Sequence, residues 1–154
     1  MHAFKSLAPK ALALAGTAIL LSACGGGDSA ADEAALKAKL ASLPAPYNTG
    51  DYQNGKVQFA QCRSCHTVVQ DGANMVGPNL YGVFGRKAAT KEGFEYSTAL
   101  KDAGFTWDAQ HLNDWIAQPQ TYLPGTKMTF PGLNAEKDRI DLIAYLKVES
   151  GYTK

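Results

Sequence analysis

An all-α fold with long irregular loops is predicted by three features of this 154-residue chain. No segment sustains the strict apolar and polar alternation of a half-buried strand, two stretches repeat apolar residues at helical spacing, and glycine and proline crowd residues 71–85. Taken in order, Gly55 to Cys62 reads as a helix with Val57 and Phe59 among its apolar residues. Thr106 or Asp108 is placed to cap a helix whose Leu112, Trp115 and Ile116 share a face, and Pro119 marks its end. Asn134 is the expected cap of the last helix, where Ile140, Ile143, Ala144 and Leu146 form a stripe that stops at Gly151. Residues 51–154 are thus the expected folded domain, and about one hundred residues make a small core for a free-standing unit.

The N-terminus reads as an export signal. Lys5 and Lys10 form a positive leader, Ala11 to Leu21 is apolar, and Leu21-Ser22-Ala23-Cys24 resembles a bacterial lipobox. The apolar run falls well short of the roughly 20 residues that cross a bilayer as a helix, so it is not read as a permanent span. Residues 1–23 are expected to be a lipoprotein signal peptide, with Cys24 lipidated as the first residue of the mature chain. Ordinary cleavage after Ala23, or an uncleaved signal, is the plainer alternative. Residues 24–50 then form a lipidated tether: Gly25-Gly26-Gly27 is flexible by composition, Asp28 to Leu40 is alanine-rich, and Pro44-Ala45-Pro46 is stiff. As coil, some 26 residues span about 28 Å root-mean-square. Leu36, Leu40 and Leu43 allow a rival reading, a short amphipathic helix packed on the domain.

Loss of Lys5 and Lys10 with the signal leaves 13 basic against 14 acidic groups. There is no basic stripe with interleaved aromatics, which argues against nucleic acid as a partner.

Cys62-Arg63-Ser64-Cys65-His66 names the chemistry. Two cysteines three residues apart followed by histidine form the c-type haem attachment pattern, in which both thiols reach the vinyl groups of one porphyrin while the adjacent imidazole rises over the iron. A thioredoxin-like redox pair would need a βαβ context, and half a zinc site would need a second ligand pair. After Cys65 there is no further cysteine, and His111 stands in a polar helical stretch where it is expected to face solvent. One covalent haem c is the expected cofactor, held through Cys62 and Cys65 with His66 as an axial iron ligand. Met75 and Met128 are the candidates for the other axial position, and reach excludes neither, since nine residues can span about 30 Å.

From Asn54 to Lys147 the chain resembles the class I cytochromes c. The resemblance rests on the haem motif together with Gly77-Pro78-Asn79-Leu80, Gly82-Val83-Phe84-Gly85-Arg86-Lys87, Pro124-Gly125-Thr126-Lys127-Met128 and Asp141-Leu142-Ile143-Ala144-Tyr145-Leu146-Lys147. It implies a small all-α fold of helices and irregular loops wrapped around one covalent haem. It also implies Met128 as the distal ligand, with Met75 left as a soft gap-filler in a loop. By the same resemblance Pro78 offers its carbonyl to the proximal imidazole, Arg86, Tyr96 and Trp107 surround the haem propionates, Thr126 supplies a distal hydroxyl, and Phe130 covers the haem beside its exposed edge. Taken without it, Tyr96 and Trp107 read as core aromatics and Arg86 as a solvated surface group.

Two departures from the mitochondrial pattern concern the distal side: Trp115 stands where a tyrosine is usual, and Leu100 replaces a commonly polar residue. Gln120 and Thr121 stand where mitochondrial members present lysines to partners, and residues 51–154 balance 11 basic with 11 acidic groups. Encounters should therefore be less charge-steered. The resemblance implies a monomeric one-electron carrier, not an enzyme. Tethered on the periplasmic face of a bacterial membrane, it would have a cytochrome bc complex as donor and a terminal oxidase, photosynthetic reaction centre or peroxidase as acceptor. A peroxidase-like haem enzyme and a fixed haem subunit of an oxidase complex are the competing readings.

Overall fold

The computed structural model describes residues 30–151. Within them the chain forms α1 (Ala30–Ala41), a 3-10 turn at Tyr47–Thr49, α2 (Tyr52–Phe59), α3 (Thr98–Asp102), α4 (Ala109–Ala117), α5 (Pro119–Tyr122) and α6 (Glu136–Glu149). One isolated bridge pairs Lys87 with Thr106, and the described residues contain no strand. The expected all-α class with long loops is what is observed. The signal peptide at 1–23, Cys24 and the glycine run at 25–27 lie outside the described residues.

Local chemistry sets the helix ends, and it moves several of them from where the sequence placed them. The Asp51 carboxylate accepts from the amides of Gln53 and Asn54 at 2.8 and 3.0 Å, so α2 begins at Tyr52 instead of Gly55. It ends at Phe59, and Cys62 falls in the turns that follow. Phe59 is buried, whereas Val57 is 66% exposed. Of the two candidate caps of α4 the structure uses Asp108, which accepts from the His111 amide at 2.7 Å. Pro119 does not simply stop that helix. It opens α5 in its first turn, where a missing N–H costs nothing. Asn134 is not a cap: α6 starts after Ala135 without a side-chain bond, and the Asn134 carbonyl accepts from Arg139 at 2.8 Å. Glu136 and Asp138 in its first turn oppose the positive end of the helix dipole instead.

The core is organised by α6, which is buried on every side from Asp141 to Lys147 and so exceeds the single stripe expected of it. One face meets α2. A Cβ at Gly55 would overlap the Asp141 carbonyl and come within 2.7 Å of the Tyr145 Cβ, so only glycine lets the two helices approach this closely. Phe59 and Tyr52 pack on Tyr145 with ring centroids 5.1 and 5.4 Å apart. Asp141 locks the crossing by accepting from the Asp51 amide at 2.8 Å, from Asn54 at 2.7 Å and from Lys137 at 2.6 Å. Burial would raise the Asp141 pKa, but the Lys137 and Asn54 side chains and the Asp51 amide outweigh it and hold the carboxyl below its ordinary range. A second face, with Leu142 and Leu146, lines an internal cavity. The third meets the N-terminal segment, where Gly50 lies against Ala144 and the Ile140 carbonyl.

That segment differs from a plain coil. Residues 30–41 are helical, Leu36 and Leu40 are half-buried, and Leu43 and Tyr47 are 5% and 4% exposed. The packed-helix reading of Leu36, Leu40 and Leu43 describes it better than a free tether does. No helix among the described residues is long and apolar enough to cross a membrane.

Candidate haem site

Between α6, α4 and the loops lies a cavity of about 350 Å³. Protein interiors are packed as tightly as organic crystals and leave few voids larger than a water molecule, so a space this size, mostly apolar, is built for a resident group. Cys62, Cys65, His66, Pro78, Arg86, Tyr96, Trp107, Thr126, Met128 and Phe130 all line it. Every site residue expected from the resemblance within the described residues is therefore gathered around one space. Met75 is not among the lining residues and is 47% exposed, which corrects its reading as a gap-filler.

The attachment motif sits on consecutive turns. The Cys62 amide donates to the Phe59 carbonyl at 2.8 Å, and the Cys65 and His66 amides donate back to Cys62 at 3.0 and 2.9 Å. The coil this makes points both thiols and the imidazole at the same cavity. Burial, with a smaller contribution from neighbouring Cys65, pushes the Cys62 thiol up to about 11. A thiol so protonated is poorly suited to redox exchange as a thiolate. Among the described residues no three His, Cys, Asp or Glu side chains are arranged to hold a bare metal ion.

His66 is oriented from behind. Its Nδ1 lies 2.7 Å from the Pro78 carbonyl. Only the tautomer with a proton on Nδ1 can donate there, and it leaves the Nε2 lone pair free for iron. Burial lowers the imidazole pKa, opposed by the Pro78 bond, which favours the neutral ligating form. Gly77, whose role no sequence pattern announces, makes room for the ring: a Cβ there would overlap Cε1 and stand 2.7 Å from both ring nitrogens. Asn79, fully buried, ties the same loop by donating to Thr67 and Val69 at 2.5 and 2.9 Å and accepting from the Tyr81 amide at 2.8 Å.

Met128 is held by its own loop. Its amide donates to Thr126 Oγ1 at 3.3 Å, and Gln120 donates to the Met128 and Thr126 carbonyls at 2.6 and 3.2 Å. Gln120 thus braces the loop from the surface, a role its comparison with a partner-facing lysine position did not suggest. Trp115 Nε1 donates to the Met128 sulfur at 3.2 Å. An indole has one donor and no acceptor, so this departure from tyrosine keeps a donor aimed at the sulfur. Leu100 lines the cavity as a buried apolar group.

Arg86 reaches the cavity wall with its guanidinium donating to the carbonyls of Tyr81 and Asn79 at 2.9 and 3.2 Å, so it is not a solvated surface group. Its donors not used in these two bonds are available to an anion in the cavity. Burial raises the Tyr96 hydroxyl pKa against the pull of Arg86, so Tyr96 stays a neutral donor. His111 is not freely solvent-facing: it stacks on Phe105 at 4.7 Å and pairs with Asp108 at 2.8 Å. Two thiols, an oriented imidazole, a braced thioether and a half-buried cation around an apolar space fit a covalent haem with charged propionates.

Comparison with known proteins agrees with this fit. The family model described as Cytochrome c matches residues 52–148. Cytochrome c of Kluyveromyces lactis is 44% identical over 105 residues, covering 68% of this chain and 96% of its own. That of Gibberella zeae is 48% identical over 99 residues, covering 64% and 93%. Among solved structures, cytochrome cH from Methylobacterium extorquens superposes with a TM-score of 0.61 at 46% identity, over 64% of this chain and 99% of its own. With its haem-attachment motif opening onto a cavity built for the group, the chain belongs to the cytochrome c family, whose members carry one covalently bound haem c.

Proposed function

We propose that this haem c electron carrier works as a lipid-tethered shuttle on the periplasmic face of a bacterial membrane. It would accept electrons from a cytochrome bc complex and deliver them to a terminal oxidase, photosynthetic reaction centre or peroxidase. The carrier reading rests above all on His66, backed by the Pro78 carbonyl, and Met128, backed by Trp115, lining one cavity with Cys62 and Cys65. Haem bound there supplies a one-electron iron couple. His66 offers Nε2 and Met128 offers its sulfur, and two braced loops hold both in place, which limits rearrangement when charge moves. Apolar walls favour the less charged, reduced state, while Arg86 and Tyr96 face the propionates as donors. With His66 and Met128 both offered to bound haem, the iron would keep no open position for substrate.

An optical and ligand-binding assay of the exported protein tests this. A methionine-to-iron absorption band with no carbon monoxide binding is expected. A high-spin ferric spectrum with ready ligand binding would favour the peroxidase-like reading, and constant copurification with an oxidase would favour the fixed subunit.

Trp115→Phe keeps the apolar bulk and removes the donor to sulfur. A hydrogen bond of about 0.5–1 kcal/mol felt mainly in one oxidation state corresponds to ~20–45 mV, so the potential should fall by up to that amount as the sulfur becomes the better donor to ferric iron. Redox titration of both proteins reads this directly.

The tether rests on the lipobox-like Leu21-Ser22-Ala23-Cys24. Cys24→Ser should move haem-loaded protein from the membrane to the soluble fraction without loss of haem, because two or more acyl chains give the stable anchoring that one does not. Retention through a high-salt wash would point to an uncleaved signal or a protein partner.

A further inference from the structure

Residues 42–50 do not run free past the domain. Leu43 and Tyr47 are buried, Tyr47 donates its hydroxyl to Gln110 in α4 at 3.2 Å, and the amides of Leu43 and Tyr47 donate to the carbonyls of Leu40 and Pro44, each at 2.9 Å. At Gly50 the backbone comes so close to α6 that a Cβ would stand 2.5 Å from the Ala144 Cβ. Ser42, Leu43 and Pro44 also roof a second cavity, of about 330 Å³, floored by Phe84, Trp107 and Lys147. The buried aliphatic stem of Lys147 lies there with its ammonium 5.6 Å from the Phe84 ring centroid. Without this segment the third face of α6, with Ile140, Ala144 and Lys147, would stand uncovered.

None of residues 30–50 lines the haem cavity. The segment grips the domain while leaving Gln61, Val76, Lys127 and Phe130, which line the haem cavity, uncovered by it. We propose that Ala30–Gly50 is a docked arm and not a swinging tether, so that it limits how far the haem domain can stand from whatever holds its N-terminus. For the membrane this rests on the proposed lipidation of Cys24. A chain spans at most ~3.5 Å per residue, so Cys24 to Ala30 reaches about 20 Å, whereas Cys24 to Gly50 undocked would reach about 90 Å. The arm thereby trades reach for a high local concentration near partners in the same membrane.

Distances between spin labels on Ala34→Cys and Lys101→Cys, both exposed positions, test docking in the haem-loaded full chain in detergent. One narrow distance distribution is expected, and Leu43→Asp, which places a charge in the buried seat, should broaden it severalfold while the haem spectrum stays unchanged. A broad distribution in the unaltered arm overturns the proposal, as does a Leu43→Asp arm that stays as narrow. Should Leu43→Asp fail to load haem, Leu40→Asp at the half-buried edge serves in its place. Membrane fractionation of Cys24→Ser reports on the anchor separately: a docked arm on a protein that stays in the membrane fraction would sink the lipid reading and leave the arm standing.

Discussion

Met128→Ala should leave haem covalently attached and lower its reduction potential by on the order of 0.2 V, out of the about 0.8 V over which axial ligation tunes haem iron. The thioethers of Cys62 and Cys65 do not depend on the distal loop, so attachment survives. The iron would lose the thioether that favours the reduced state, and the open position would bind carbon monoxide and react with peroxide. Stability should fall too. Trp115 is buried, and its N–H would lose the sulfur as acceptor at a cost of about 1–3 kcal/mol. At about 4–8 °C per kcal/mol for a domain near this size, Tm should drop by roughly 5–20 °C. Met75→Ala is the control. Met75 is half exposed and does not line the cavity, so its removal should change neither potential nor ligand binding. If Met75→Ala opens the iron instead, the distal assignment is wrong.

The parts of this molecule that were legible in sequence are those set by short-range chemistry. A pentapeptide brings two thiols and an imidazole to one side of a turn whatever surrounds it, so Cys62, Cys65 and His66 could be read without a fold. Asp108 capping α4 is equally local. Met128 was different: it stands 62 residues after His66, and only resemblance, not spacing, chose it over Met75. Residues that act through backbone geometry were least visible. Gly77 and Gly55 matter for the side chain they lack, and a lone glycine carries no pattern that says what would occupy the space. Asn134 failed as a predicted cap because the helix starts one residue later, with Ala135 at the cap position, a shift that propensity does not anticipate.

The boundary placed at residue 51 shows the same limit at larger scale. Alanine-rich composition and paired prolines suggested a tether, and composition is silent about where Leu43 and Tyr47 find their cover. That cover is a face of α6 whose Ile140 and Ala144 belong to the predicted stripe, which does not say which element they meet. The helix is buried around most of its circumference because it serves three neighbours: α2 through Asp141 and Tyr145, the haem cavity through Leu142 and Leu146, and the N-terminal segment through Ile140, Ala144 and Lys147.

Gly77→Ala is expected to disturb the proximal side more than its single methyl suggests. The new Cβ would occupy the space of the His66 ring, and the ring has little freedom to yield. Its Nδ1 is bonded to the Pro78 carbonyl, one residue from the substitution, and its chain position is fixed by Cys65. Either the imidazole tilts and weakens the Pro78 bond, or the 77–78 backbone moves away and carries the carbonyl with it. Both outcomes loosen the bond that holds the tautomer and orients Nε2. Overpacking of this kind costs about 1–3 kcal/mol, or roughly 5–20 °C in Tm for a domain of this size. A purely structural effect would end there. An effect on the proximal ligand should also move the proton resonances of the His66 ring and raise the potential, since the Pro78 bond raises the basicity of the imidazole and a less basic ligand favours ferric iron less. Haem content should be unaltered. A variant with lowered Tm but unshifted imidazole resonances would mean that the loop, not the ring, absorbs the methyl, and that Gly77 serves packing alone.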